Sequence, residues 1–151
     1  MESNKFVNRG SKDTRSGFGA GLTELGRTNP KVVAFCADLI GSLKMDDFVK
    51  ENPERFFQCG IQEANMVGAA AGMALAAKQD KKDYKTYVVL GDGECNEGSV
   101  WEAALFAVHF GLDNLVCIVD HNKMQSLDFC TKTLSTTPLA NIWQGFGWNV
   151  I

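Results

Sequence analysis

The stretch TYVVLGDGECNEGSVWEAALFAV, residues 86–108, decides the fold of this chain of 151 residues. It begins as an apolar, β-rich run and reaches an acid between two glycines, Gly91, Asp92 and Gly93. Small apolar residues at helical spacing follow. A strand that leads into a helix is the unit from which parallel sheets are built. The stretch therefore predicts a βα unit with a carboxylate at the carboxyl end of its strand.

The same alternation runs along the whole chain. The β-rich runs are residues 32–37, 55–60, 86–91, 115–121 and 148–151, and helical spacing covers residues 14–27, 44–51, 61–78, 98–111 and 138–146. Strands that alternate with helices favour parallel pairing with helices on both faces. We expect the α/β class, as a single three-layer αβα domain of residues 1–151 with a mostly parallel sheet of about five strands.

Composition and charge argue against some partners and locations for this protein. The net charge of -3 gives no case for a nucleic acid or an anionic membrane as partner. Neither a signal peptide nor an apolar run of membrane-spanning length is found in the sequence. The five cysteines form no CxxC pair, which is typical of reduced thiols in a cytoplasmic protein.

The acid between two glycines raises a question of charge. Ligands of open α/β sheets bind beyond the carboxyl ends of the strands, and the start of the following helix favours an anion there. Gly93 would let a ligand approach the main chain. Asp92 alone would repel an anion, but a divalent cation between the two, Mg²⁺ or Ca²⁺, removes the conflict.

Asn122 is the expected second ligand. It lies one helix and one strand after Gly93, at the end of the next β-rich run. Its amide oxygen, the Asp92 carboxylate and a nearby backbone carbonyl would suit a hard cation. The alternative is that GDG is only a turn and Asn122 only a loop residue; their placement one βαβ unit apart favours the cation site.

The second half of the chain carries a family resemblance. GDGECNEGSVWEAALFAVHFGLDNLVCIVDHN (91–122) looks like the thiamine diphosphate motif, and EGSVWEA, LDNLVCIVD and PLANIWQGFGWNVI resemble transketolase. Residues 72–151 are similar to the second half of the pyrophosphate-binding domain of that family. The resemblance implies thiamine diphosphate with Mg²⁺ (or Ca²⁺), bound by Gly91, Asp92, Gly93, Glu94 and Asn122, with the Met124 carbonyl as a further metal ligand.

The first half resembles a different domain of the same family. TRSGFGAGLTELG, CADLIGSLK and PERFFQCGIQEANMVGAAAGMALA look like the start of the pyrimidine-binding domain, as in the C-terminal subunit of split transketolases, over residues 1–77. Glu63 matches the catalytic glutamate that hydrogen-bonds the aminopyrimidine ring and promotes its imino form. The remaining matches are Asp38 by the cofactor pocket, Arg15 and Ser42 at the phosphate of a sugar substrate, and Glu97 and Glu102 near the dimer interface. Two alternatives remain open, Arg15 as a solvated residue and Glu102 as a plain surface acid.

The order of the two halves is reversed relative to transketolase. They join within one helix, at GMALAAK (72–78), which fits both domains. The resemblance thus implies a chimera of two structurally related domains. We favour an engineered chain or a model of an ancestral domain, with a natural gene as the alternative. A two-fold homodimer would then place Glu63 of one chain at the metal end of the other.

Three functions remain open at this point. The first is a domain that binds thiamine diphosphate and Mg²⁺ and retains some cofactor activation, with a sugar phosphate as partner only if it is active. The second is an inert folded dimer scaffold, because the family's substrate histidines are missing, His109 and His121 match none of them, and Ser126 stands where an apolar residue often packs on the thiazolium. A generic nucleotide domain is disfavoured by the absence of GxGxxG after a first strand.

Overall fold

The computed structural model describes residues 13–151. The chain divides into two compact units, residues 1–61 (unit 1) and residues 62–151 (unit 2), and each is described by itself. The boundary lies just before the long helix in which the sequence places the join of its two halves. The assignment of residues 1–151 to a single domain stays a prediction.

Unit 1 contains two helices and two short parallel strands. They are α1 (Thr14–Thr28), β1 (Ala34–Cys36), α2 (Asp46–Glu51) and β2 (Phe56–Gln58), with a 3₁₀ turn at Pro53–Arg55. Helix α1 begins where it does because the Asp13 carboxylate accepts a hydrogen bond from the Ser16 backbone N–H at 2.9 Å, which caps the helix. Strands β1 and β2 pair in parallel. Their core is formed by Ala34, Cys36, Met45 and Phe48.

Arg55 ties the elements of unit 1 together. Its side chain is only 16% exposed and stands over the Phe48 ring. The guanidinium donates hydrogen bonds to the side chain of Asn52 and to the backbone carbonyls of Gly26, Asn29 and Val32. The last carbonyls of a helix have no partner within the helix. Arg55, which lies in the 3₁₀ turn before β2, therefore caps the C-terminal end of α1.

Unit 2 contains the strand that the opening stretch predicts. Its elements are α3 (Glu63–Gln79), β3 (Thr86–Gly91), α4 (Gly98–His109), β4 (Leu115–Asp120) and α5 (Leu139–Gly145), with a 3₁₀ turn at Glu94–Asn96. Strands β3 and β4 pair in parallel from Thr86↔Leu115 to Gly91↔Asp120. The two strands therefore end side by side, so the residues that follow Gly91 lie next to the residues that follow Asp120.

The core of unit 2 lies between one face of this sheet and the helices. Val88 and Leu90 of β3 are buried against alanines of α3 and α4, whose small side chains allow the two helices to pack closely. The opposite face is bare: Tyr87, Val89 and Ile118 are 61%, 41% and 49% exposed. Parallel sheets are ordinarily covered on both faces, so unit 2 shows only two layers.

The α/β class and the parallel pairing are confirmed. A single sheet of about five strands is not, since residues 13–151 contain four strands in two separate pairs. Residues 148–151 form no strand. The Trp148 backbone N–H donates to the Trp143 carbonyl at 3.1 Å, and its indole donates to the Ala104 carbonyl at 3.2 Å, so this segment closes α5 instead of pairing.

No helix among residues 13–151 combines the length and the apolar character that a membrane crossing requires.

The caps supplied by Arg55 lead to a stability prediction. Replacement by Ala leaves several inward-facing carbonyls without their charged donor, so Arg55→Ala should lower the free energy of unfolding by about 2–3 kcal/mol. Urea denaturation followed by circular dichroism measures this. Arg27→Ala is the matched control, because Arg27 pairs with Glu51 at the surface, where water screens such pairs and they contribute little to stability. Equal losses in the two variants would contradict the capping role.

Candidate functional site

Asp92 is the centre of the candidate site. It directly follows β3 and its backbone N–H donates to the Asp120 carbonyl at 3.3 Å, which extends the strand pairing by one step. The residue is 3% exposed. Its Oδ2 accepts a hydrogen bond from the Lys123 backbone N–H at 2.7 Å, whereas its Oδ1 is buried without a partner. A buried carboxylate oxygen without a partner is costly, so this atom is suited to a cation.

Asn122 and Met124 lie on either side of the residue that contacts Asp92. The Asn122 Oδ1 atom accepts a hydrogen bond from the Met124 backbone N–H at 2.8 Å, in the manner of an Asx turn. The Asn122 side chain also lies 3.4 Å from Asp120. An amide oxygen can accept twice, so Asn122 keeps capacity for a further contact. The structure therefore brings the predicted metal ligands to the adjacent ends of two paired strands.

The donor set fits a hard cation that a bound phosphate completes. Among residues 13–151 no group of three or more His, Cys, Asp or Glu side chains is arranged to hold a metal ion alone. The predicted set has one carboxylate, one amide and one backbone carbonyl, and therefore needs oxygens from a ligand and from water. Such an incomplete shell is typical of Mg²⁺ sites that bind the metal together with a phosphate.

The missing side chain of Gly93 has a structural reason within the protein itself. The Gly93 φ of -66° and ψ of -34° are ordinary helical values, so the conformational freedom of glycine is not used. A Cβ atom at this position would lie 2.8 Å from the Gln125 Cγ. The missing side chain therefore makes room for Gln125 of the facing loop.

Helix α4 starts at the residue where the sequence predicts it, but a short turn separates it from the GDG segment. The 3₁₀ turn Glu94–Asn96 intervenes, and α4 starts at Gly98. Glu97 is the N-cap residue of α4, without a capping hydrogen bond from its side chain. The N-terminal end of α4, which favours anions, is thus separated from Asp92 by this turn.

Three carboxyl groups lie near this turn. Glu94 Oε2 accepts a hydrogen bond from the Gly91 backbone N–H at 3.0 Å, and its Oε1 is buried without a partner, as is Oε2 of Glu97. Burial raises the pKa of Glu94, and the charges of Glu97 and Glu63 raise it further. Glu63 stands half-buried in the first turn of α3. The charge of the predicted catalytic acid is thus felt at Glu94.

Glu102 is exposed on α4 and faces a groove between α3 and α4. The groove has a volume of about 440 Å³ and is lined by small residues and one aromatic ring, among them Ala64, Gly68, Gly72 and Phe106. An open groove of this kind leaves the predicted interface position of Glu102 possible.

The predicted phosphate contacts lie in unit 1. The Arg15 guanidinium donates to the Ser42 hydroxyl at 3.2 Å, so the structure brings this pair together. Asp38 has a left-handed backbone, with φ of 62°, and exchanges two hydrogen bonds with the Gln58 side chain. The place of Asp38 beside a cofactor stays a prediction.

Two residues at the site were missed by the sequence analysis. The His121 Nε2 atom lies 3.9 Å from Asp92 Oδ2, and the Trp101 indole N–H donates to the Cys95 carbonyl at 2.8 Å. The position of His121 between Asp120 and Asn122 at a strand end was a usable signal. Nothing in the sequence marked the contact of Trp101.

Two known domain families match this chain. The family described as "Transketolase, thiamine diphosphate binding domain" matches residues 58–151, and "Transketolase, pyrimidine binding domain" matches residues 10–84. The two matches overlap over residues 58–84, a range that includes α3.

Individual relatives match about half of the chain. One subunit of the apulose-4-phosphate transketolase of Phocaeicola vulgatus is 46% identical over 85 residues, which are 56% of this chain and 30% of that protein. The subunit of the same name in Actinobacillus succinogenes is 49% identical over 81 residues, 54% of this chain and 29% of that protein. Human transketolase is 44% identical over 86 residues, 56% of this chain and 14% of that protein. The matched residues thus span less than a third of the length of these relatives.

The raised pKa of Glu94 leads to a prediction about pH. Its folded pKa lies above the ordinary value of 4.5, so its carboxylate form destabilises the folded state at neutral pH. In metal-free protein Glu94→Gln, which keeps an acceptor for the Gly91 N–H, should raise the free energy of unfolding at pH 7. The gain should shrink as the pH falls and vanish below about 4.5, where Glu94 is protonated in both states.

Urea denaturation at a series of pH values measures the difference. Glu102→Gln is the control, because Glu102 is exposed. A gain for Glu94→Gln that is independent of pH would contradict the assignment.

Proposed function

Because the chain belongs to the transketolase family, whose thiamine diphosphate-binding domain matches residues 58–151, we propose that it binds thiamine diphosphate together with Mg²⁺. Asp92, Asn122 and the Met124 carbonyl hold the cation, and Ca²⁺ is the alternative ion. One observation carries this proposal: Asp92 is buried with an unpaired oxygen beside the end of the paired strand. A bound cation would supply the partner that this oxygen lacks.

The GDG turn has the parts that a diphosphate needs. Gly91 and Gly93 present main chain without side chains, and Glu94 holds the Gly91 N–H in place. The cation between Asp92 and the diphosphate balances the charge of both. The residues of this turn thereby bind and orient the cofactor, which supplies the carbanion chemistry when bound.

Glu63 is the proposed acid–base group. Its carboxyl would hydrogen-bond the aminopyrimidine ring and move a proton at the ring nitrogen. The proposal rests on the match of Glu63 to the catalytic glutamate of the family and on its place in the first turn of α3. Asp38 is proposed beside the cofactor on the basis of family resemblance alone.

We propose a two-fold homodimer as the state that binds the cofactor. Glu63 of one chain would then serve the metal end of the other, with Glu97 and Glu102 at the interface. The open groove beside Glu102 and the unpartnered oxygen of Glu97 support an interface here. The relatives that are named as subunits imply a further chain in those proteins, so a complementary chain is the competing partner. Light scattering that shows a monomer with tight cofactor binding would contradict the homodimer.

The substrate proposal is limited to its phosphate end. Arg15 and Ser42 form a hydrogen-bonded pair that a sugar phosphate could bind, and one relative is named for such a compound.

We place the protein in the cytoplasm because its five cysteines are free. The competing function is a folded dimer scaffold without useful affinity; the use of Asn122 Oδ1 by a backbone N–H is the observation in its favour.

Calorimetric titration decides between binding domain and scaffold. Thiamine diphosphate should bind the parent in the presence of Mg²⁺ and bind at least tenfold more weakly after EDTA. Asp92→Ala and Asn122→Ala should each lower the affinity by tenfold or more, since each removes a cation ligand. Asp46→Ala is the control, an exposed acid in the first turn of α2. Unchanged binding in both site variants would refute the metal assignment.

Exchange of the thiazolium proton tests Glu63 directly. With bound cofactor in D₂O, Glu63→Gln should slow the exchange by about 10²–10⁴-fold, the usual contribution of a positioned acid or base. Quenched-flow sampling with proton NMR measures the rate. The control is Asp46→Asn, an exposed acid of α2, which should exchange like the parent. If Glu63→Gln also exchanges like the parent, Glu63 is not the acid–base group.

A further inference from the structure

The turn that follows Asp92 is held by a tryptophan. Trp101, in the first turn of α4, donates its indole N–H to the Cys95 carbonyl at 2.8 Å. Cys95 is the middle residue of the 3₁₀ turn Glu94–Asn96 and is fully buried. This hydrogen bond therefore closes a short loop of chain that begins three residues after Asp92.

Trp101 is itself held in place by other aromatic rings. We call Trp101, Trp143, Phe146 and Trp148 the aromatic cluster. The Trp101 ring stacks on Phe146 with centroids 5.2 Å apart and planes at 15°, and it contacts Trp143 at 5.1 Å. Trp148 lies edge-on to Trp143 at 5.0 Å. A ring packed on two sides cannot turn its N–H away from Cys95 without displacing α5.

The second side of the turn is tied to the loop after β4. The Asn96 side chain donates to the Leu134 carbonyl at 3.2 Å, and the Gln125 side chain donates to the same carbonyl at 3.2 Å. Gln125 is the residue that fills the space beside Gly93. The turn is thus fixed between the aromatic cluster and the loop that carries Asn122 and Met124.

From this geometry we infer that Trp101 is a positioning residue of the cation site. Through the Cys95 carbonyl it fixes the turn after Asp92 and so holds the Asp92 carboxylate ready for the cation. The inference rests on the proposed binding of the cation at Asp92. It assigns the aromatic cluster a function at the site in addition to its packing, because preorganised ligands bind a metal more tightly than ligands that must be ordered.

The cluster supplies its own matched control. The indole nitrogen of Trp143 is buried and makes no hydrogen bond, and that of Trp148 bonds to Ala104, away from the turn. Trp101→Phe removes the hydrogen bond to Cys95 while an aromatic ring remains for stacking. Trp143→Phe makes the same chemical change in the same cluster without the loss of a hydrogen bond.

The experiment has two readouts. Mn²⁺, as a paramagnetic stand-in for Mg²⁺, is titrated into the full chain in the presence of a fixed concentration of inorganic diphosphate, which completes the shell of the cation. Free Mn²⁺ is counted by electron paramagnetic resonance against a titration without protein, well below the unfolding temperatures of all variants. Trp101→Phe should bind Mn²⁺ about tenfold more weakly, whereas Trp143→Phe should bind as the parent does. Hydrogen–deuterium exchange followed by mass spectrometry should show faster exchange over residues 93–100 in Trp101→Phe alone.

The outcomes distinguish a failure of the proposed cation site from a failure of the positioning role of Trp101. If the parent binds no Mn²⁺, or binds it equally after Asp92→Ala, the proposed function is wrong. If the parent binds and Trp101→Phe binds equally well, the positioning role is overturned while the site stands. Unchanged exchange over residues 93–100 in Trp101→Phe overturns the role of Trp101 regardless of the metal. Equal loss of affinity in Trp101→Phe and Trp143→Phe would show that only packing matters, which also overturns it.

Discussion

The parallel pairing of β3 with β4 is the constraint on which the site depends. Because the register runs without a bulge to Gly91↔Asp120, the residues after both strands meet at one edge of the sheet. The hydrogen bond from the Lys123 backbone to Asp92 follows directly from this register. A shift by one residue would turn Asp92 to the other face of the sheet and separate it from Asn122.

Around this edge, unit 2 contains several polar atoms that are buried without a partner. Oxygens of Asp92, Glu94 and Glu97 are all in this state. Each costs free energy in the folded state, and together they oppose the stability that the alanine-rich core of α3 and α4 provides. A cluster of buried polar atoms without partners is characteristic of binding sites, where the residues serve a ligand and not the stability of the fold. Unit 1 shows the opposite situation at Arg55, whose guanidinium is largely shielded from solvent and donates hydrogen bonds to Asn52 and to three backbone carbonyls.

Much of this arrangement follows from the sequence, for identifiable reasons. The strand TYVVLG and the helices α3 and α4 are predicted because apolar periodicity decides them locally. The pairing of Asp92 with the loop of Asn122 is predicted because parallel strands align their carboxyl ends. The 3₁₀ turn at Glu94–Asn96, the ordinary backbone of Gly93 and the contact of Trp101 were not predictable, since each depends on tertiary packing. Residues 148–151 look like a strand, but Trp148 instead donates hydrogen bonds to Trp143 and Ala104 and packs edge-on to the Trp143 ring.

The bare face of the β3–β4 sheet has a consequence for behaviour in solution. Tyr87, Val89 and Ile118 present a contiguous apolar surface that attracts any other apolar surface without regard to partner or geometry. The attraction strengthens with sulfate or phosphate salts, which are excluded from protein surfaces, and weakens on cooling. The colloidal stability of the protein is therefore set by salt and temperature at this face, and crystallisation from sulfate would compete with amorphous precipitation.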